Sequence, residues 1–412
     1  MDGQLDLNTV AERYICLVLS MGRHDPDYVD AYYGPLQFKE ESDRLTMSLE
    51  NIQSETRAIL YKLQTATPPP GGSMSELRYL YLRRQLESLV TRTEMLLGKK
   101  FSFDAESQAL YDAAPPAFPE SHFQTILEEL GSLLGGKGSI PSRLETYRTA
   151  FVIPPSRLDS VFKAAIAESR LRTMRHITLP DTEQFVLEYV TGKSWSGYNW
   201  YQGSYRSLIQ INTDLPIYID RAIDLASHEG YPGHHVYNAL LESDLVRRRG
   251  WMEFTVYALF SPQSLIAEGT ANYGIVMAFP FAERIAFERE VLFPLAGLDP
   301  QRVEEYYHIH DRVQQLSYAG NEAARGYLDG KFSREQAEDW LVRYSLMSPE
   351  RASQRIRFFD QYRSYVINYN LGQDLVRRYI DFRCGSDTRA QRRWEEFKLL
   401  LSSPLTPSAL VV

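Results

Sequence analysis

The chain has 412 residues, 44% of them hydrophobic and 24% charged, with a formal net charge of −8. That is the composition of an ordinary globular protein, long enough for two domains or one large helical one. The acidic balance and the lack of any Lys/Arg-rich block exclude a nucleic-acid surface, and no stretch approaches the roughly 20 apolar residues of a membrane span. The longest basic run, Arg247-Arg248-Arg249, precedes Gly250 and reads as a solvated helix end. Cys16 and Cys384 are the only cysteines, so no disulfide framework is expected. The segment Met1 to Asp6 lacks the basic and apolar parts of a secretory leader, so a reducing, cytoplasmic setting is expected.

The first third reads as helices. Leu7 to Met21 carries Val10, Tyr14, Leu17 and Val18 at helical spacing, and Asp43 is a candidate cap for a long helix reaching about Leu63. Thr67-Pro68-Pro69-Pro70-Gly71-Gly72 breaks the chain before a second long helix, Ser75 to Leu97. Glu120 to Leu134 is a further helix, and Gly135 to Ser139 marks a boundary. The parts expected are a helical N-terminal part at 1–138, a catalytic part at 139–400 and a tail at 401–412 that is poorly ordered or docked.

Ser156 to Leu171 is helical by the same criteria, and then the texture changes. Phe185 to Tyr189 and Ser207 to Asn212 have the β-favouring residues and shortness of strands, with a Gly/aromatic loop from Trp195 to Tyr205 between them. A helix then carries His228-Glu229-Gly230-Tyr231-Pro232-Gly233-His234-His235, which holds three of the eight histidines. From Trp251 to about Phe397 the chain reads helical again. The fold class expected is mainly α with a small β-sheet.

The His-Glu cluster is a stretched form of His-Glu-x-x-His, in which two imidazoles four apart on one helix face share a metal. Here the fourth position is Pro232. On a straight helix His228 and His234 stand about 9 Å apart along the axis, and His228 and His235 about 10.5 Å, too far for one ion. Pro232 cannot donate to the carbonyl of His228, and Gly230 and Gly233 permit unusual backbone angles. A loop-out between Glu229 and His234 is therefore expected to draw the second imidazole back. Glu229, next to the first ligand, suits the general-base role. Glu268 is the candidate third ligand, because it is the only charge in Leu265 to Phe279 and a buried carboxylate needs a partner. Asn272, one turn on, could orient a ligating histidine. His308 and His310 form a minor pair, while His24, His122 and His176 are isolated.

These residues resemble an uncharacterised bacterial family marked by His-Glu-x-x-Pro-Gly-His-His, itself similar to gluzincin-type zinc metallopeptidases. The likeness runs through Glu268-Gly269-Thr270-Ala271-Asn272-Tyr273 to Asn368-Tyr369-Asn370-Leu371-Gly372, covering roughly residues 180 to 380. It implies a zincin-like architecture whose helical N-terminal part covers the cleft. It further implies one Zn2+ held by His228, His234 and Glu268 with His235 as the alternate ligand, Glu229 as general base, and Tyr369 as oxyanion donor. Tyr318, Tyr327 and His310 are the substitutes for that last role, since the family's Pro-Gly-Gln is Arg363-Ser364-Tyr365 here. Ser207 to Asn212 would be the strand that pairs with an extended substrate. The implied reaction is hydrolysis of short peptides, by an oligopeptidase or a carboxypeptidase. A carboxypeptidase needs an arginine clamp, for which Arg325, Arg355, Arg357 and Arg363 are available. The rival readings are a non-catalytic metal- or peptide-binding relative and a zinc hydrolase of non-peptide amides or esters. Neither nucleic acid nor membrane is an expected partner, and the oligomeric state is left open.

Overall fold

The computed structural model describes residues 6–193 and 195–411. Residues 1–5, read above as lacking a leader, and Val412 of the tail lie outside them. The chain is mainly helical with small sheets, as expected.

In order, the N-terminal helices are α1 (Leu7–Met21), α2 (Leu36–Leu45), α3 (Leu49–Thr65), α4 (Met74–Leu96), α5 (Phe103–Tyr111), α6 (Glu120–Leu134), α7 (Ile140–Arg148) and α8 (Leu158–Met174). The motif region contributes α9 (Asp220–Leu225), α10 (His234–Leu241) and α11 (Pro262–Ala278). There follow α12 (Phe281–Phe287), α13 (Phe293–Ala296), α14 (Val303–Gln314), α15 (Ala319–Leu328) and α16 (Arg334–Tyr344), then α17 (Pro349–Tyr362), α18 (Ile367–Cys384) and α19 (Ala390–Leu401). The single helix expected from Asp43 to Leu63 is two. Thr46 turns left-handed at φ 43° and Ser48 restarts the chain by accepting the Asn51 N–H.

Five strands make two sheets. β1 (Val29–Tyr32) pairs antiparallel with β5 (Val256–Ala258), joining the N-terminal helices to the segment before α11. The other sheet has the order β2-β4-β3, with β2 (Gln184–Val190) parallel and β3 (Gly197–Gly203) antiparallel to β4 (Arg206–Asn212). Two corrections follow. The Gly/aromatic segment is strand β3 for most of its length, not a loop. And Ser207 to Asn212 is the central strand, hydrogen-bonded on both sides, so it cannot pair with a substrate; β3 and β2 are the edges. The β3–β4 turn puts Ser204 and Tyr205 at positive φ, and the buried Glu242 carboxylate accepts both of their N–H groups.

One hydrophobic core runs from Val10 in α1 to Leu410 beside the C-terminus, taking in α4, α10, α11 and α18. The Arg78–Glu253 pair crosses it, both side chains almost fully buried. A second core packs α8 and α9 against α12 to α14. The C-terminal segment is docked, with Leu410 buried and the Ser408 N–H donating to Asp112 at 2.9 Å. No helix among the described residues is long and apolar enough to cross a membrane.

Candidate metal centre

The helix entering the motif widens at Ala226–Gly230 into a π-turn, where the Tyr231 N–H reaches back five residues to the Ala226 carbonyl at 3.1 Å. The chain then leaves the helix through a cis Tyr231–Pro232 bond and restarts as α10 at His234. Gly233 is required at this restart. Its N–H donates to the Ser227 carbonyl at 2.9 Å, and a Cβ there would sit 1.9 Å from the His228 carbonyl oxygen. The two residues added to the usual spacing are absorbed in this loop-out.

The result is a convergence. His228 Nε2 and His234 Nε2 lie 3.1 Å apart, and Glu268 Oε2, from α11, is 3.3 Å from the first and 3.8 Å from the second. Ligands about 2.0–2.1 Å from a tetrahedral zinc stand about 3.3 Å from one another, so these spacings fit one ion. Among the described residues this is the one group with such spacing.

Three further observations match a cation. Glu268 is buried and its Oε2 has no hydrogen-bond partner among the described residues, while Oε1 accepts from the Tyr365 hydroxyl at 2.9 Å. Tyr365 thus turns the open oxygen toward the histidines. Asn272 donates through its amide nitrogen to the Tyr369 carbonyl and faces His228 Nδ1 with its oxygen, both at 2.9 Å. That orientation makes Nδ1–H the donor and leaves the Nε2 lone pair free for a metal. Finally, the field is strongly negative. Burial lowers the His234 pKa, but the nearby Glu268 carboxylate, with Glu229 and Asp30 behind, raises it to about 9. Burial alone would raise the Glu268 carboxyl; the two histidines outweigh it and hold it far below its usual value.

His235 points elsewhere. It is fully buried, with Nδ1 2.8 Å from the Ser207 hydroxyl and Nε2 2.9 Å from Glu183 Oε2. Glu183 also accepts from Tyr231 at 2.6 Å and from Arg170. Both ring nitrogens are spent in a network that ties α10 to β4 and α8, so the alternate ligand is not in reach of the cluster.

Glu229 is buried beside edge strand β3. Its carbonyl accepts from Asn199 at 2.7 Å, and a Cβ on Gly197 would come within 3.0 Å of its carboxylate. Tyr369 lies deep in the protein but keeps part of its surface open. Burial first, then the Glu268 charge, push its phenol well above its usual pKa. The substitutes are tied elsewhere: Tyr318 to Asp374 at 2.7 Å, Tyr327 to Asp360 at 2.8 Å, and His310 to Gln314 at 2.9 Å.

Two participants escaped sequence reasoning. Tyr365 falls in the stretch where the resemblance breaks. Asp30, on β1, accepts from Tyr198 of β3; burial raises its pKa to about 7, with Glu268 and Glu229 adding and His234 opposing. The only sign of Asp30 in the sequence is a single acid amid Tyr28, Val29, Tyr32 and Tyr33.

No family model matches the chain, and no curated protein matches it significantly. A solved structure named as a lipoprotein, from Colwellia psychrerythraea, is similar over 88% of this chain and 68% of its own, at 16% identity and a TM-score of 0.53. That likeness is one of fold. An M32 carboxypeptidase from Deinococcus radiodurans R1 aligns over 98% of this chain and 93% of its own, at 12% identity and a TM-score of 0.46, too loose to bear on activity.

Proposed function

We propose that the protein is a zinc-dependent hydrolase of short peptides. The observation that carries this is the convergence of His228 Nε2, His234 Nε2 and the unpartnered Glu268 Oε2 at tetrahedral-edge spacing. Held by these three, zinc supplies a Lewis acid for a carbonyl and lowers the pKa of water.

The rest is the work of the chain. Glu229 takes the proton of the attacking water on its carboxylate and returns it to the leaving nitrogen. Tyr369, kept protonated by its surroundings, donates a hydrogen bond to the oxyanion as it forms, a contribution of about 3 kcal/mol. Asn272 and Tyr365 hold the ligands in orientation. An extended peptide pairs by its main chain with edge strand β3 beside Glu229. Helical walls favour short, unfolded substrates. Cys16 and Cys384, both free and buried, fit a reducing compartment such as the cytoplasm.

Elemental analysis of protein purified without chelator or added metal is expected to find one zinc per chain. Glu229→Gln is expected to keep that zinc and lose at least about 1000-fold in peptide hydrolysis, the loss of general-base catalysis. Absence of metal overturns the site; unchanged turnover in Glu229→Gln overturns the mechanism. Parallel assays of peptides, acyl amides and esters separate the peptidase from a hydrolase of other amides or esters.

A further inference from the structure

Of the four arginines open as carboxylate clamps, two have protein partners. Arg325 donates to Asp104 at 3.0 Å, to Glu322 and to the carbonyls of Pro115 and Pro116. Arg363 donates to Glu106 at 2.7 Å. Arg357 is exposed. Arg355 is different.

It sits on α17 with its guanidinium carbon 5.1 Å from the centre of the Phe358 ring. Phe358 packs 6.4 Å from Tyr365, and Tyr365 is the residue bonded to Glu268. Arg355 is therefore two rings from the metal centre. It is half-buried, as are Tyr369 and Asp30, and its charge acts on the Tyr369 phenol beside Glu268. No carboxylate stands within ion-pair distance of it among the described residues. Burial pulls its pKa down, and the neighbouring Tyr369 phenol acts against that. An arginine stays charged at neutral pH, and a desolvated cation without a counter-ion is costly. The same helix lines an adjoining depression of about 230 Å³, bounded by Lys193, Gln354, Arg357, Phe358, Gln361 and Tyr362, where Gln361 donates to Asp27 at 2.8 Å.

We propose that Arg355 anchors the C-terminal carboxylate of the peptide, so that the enzyme removes residues from the C-terminal end. This rests on the peptidase reading above. The guanidinium fork suits a carboxylate bidentately, whereas the acids Asp30, Glu229 and Glu268 at the candidate centre disfavour that group there. The substrate is thereby oriented, with its C-terminus toward α17.

The test uses a pool of random N-acetylated pentapeptides, made once as free acids and once as C-terminal amides. Mass spectrometry follows their loss in the zinc-loaded wild type, Arg355→Met and Arg355→Lys. Wild type is expected to prefer acids by about 10- to 100-fold, the range of a charge-assisted hydrogen bond. Arg355→Met is expected to bring the acid-to-amide ratio to about one, and Arg355→Lys to restore part of it. Zinc content and melting temperature confirm that each variant is folded. Equal use of acids and amides by wild type, or an unchanged ratio in Arg355→Met, overturns the anchor. Retention of the same pools by zinc-loaded Glu229→Gln separates the two readings. If nothing is cleaved but acids are retained in an Arg355-dependent way, the peptidase reading falls and the anchor stands. Equal retention, or none, removes the anchor.

Discussion

Asn272 touches His228 through one end of its amide and the backbone of Tyr369 through the other, so its orientation is not free. Asn272→Leu is expected to weaken zinc about 10- to 100-fold in a chelator competition, with little change in folding. The two neighbouring histidines should part company. His234→Ala is expected to lose the metal and stay folded, whereas His235→Ala keeps one zinc and is destabilised by about 2 kcal/mol or more in urea, because Glu183 and Ser207 lose a buried partner. Glu183 also sets a pH dependence. Burial works to raise its pKa, but hydrogen bonds from His235, Tyr231 and Arg170 bring it from 4.5 to about 2. A depressed carboxyl contributes stability above its unfolded pKa and loses it as pH falls toward the folded one. Stability should thus drop between about pH 4.5 and 2, and Glu183→Gln should flatten that limb while costing on the order of 2 kcal/mol at neutral pH. Which residues converge was readable where the cue is local: a His-Glu pair, a Gly/Pro gap, a lone acid in an apolar helix with Asn one turn on. Asp30 and Tyr365 carry no such cue, since tertiary packing alone brings β1 and the turn between α17 and α18 to the centre.

Among the elements, two backbone contacts govern the site. At the α10 restart Gly233 has no room for a methyl group. Where α11 crosses α18, a Cβ on Gly269 would lie 2.5 Å from the backbone of Gly372, and one on Gly372 would lie 2.7 Å from the Leu265 carbonyl. Glu268 and Asn272 flank the first of these glycines, and Tyr369 precedes the second by three. Gly372→Ala is expected to force the helices apart, costing about 1–3 kcal/mol in denaturant unfolding and lowering zinc affinity together with it. A variant that unfolds more easily but holds zinc as before would show that the crossing does not set the ligand geometry. Helices such as α1 and α6 were legible to the residue because caps and periodicity are local. Strand β3 was not: its Gly/aromatic composition imitates a loop, and its turn places Ser204 and Tyr205 at positive φ with their N–H groups held by Glu242. β1 and β5 span four and three residues, too few to show a period.

On the scale of the whole molecule, the centre sits where α10, α11 and α18 meet the N-terminal helices within one core. A metal bound there would be linked to global stability. Zinc at about 1000 times its dissociation constant adds about 4 kcal/mol, so chelation is expected to lower the melting temperature by several degrees, an effect absent in His234→Ala. An identical shift in His234→Ala would assign the metal to some other place. The general architecture followed from composition and period, but which faces meet did not, because the partners of Glu268 and Asn272 lie almost a hundred residues downstream.

That separation has a temporal consequence. During synthesis the two histidines and Glu268 emerge well before α17 and α18, so the ligands exist for a time without Tyr365 to turn the carboxylate or the Tyr369 backbone to fix Asn272. A nascent chain therefore lacks the groups that orient these ligands until its last helices dock.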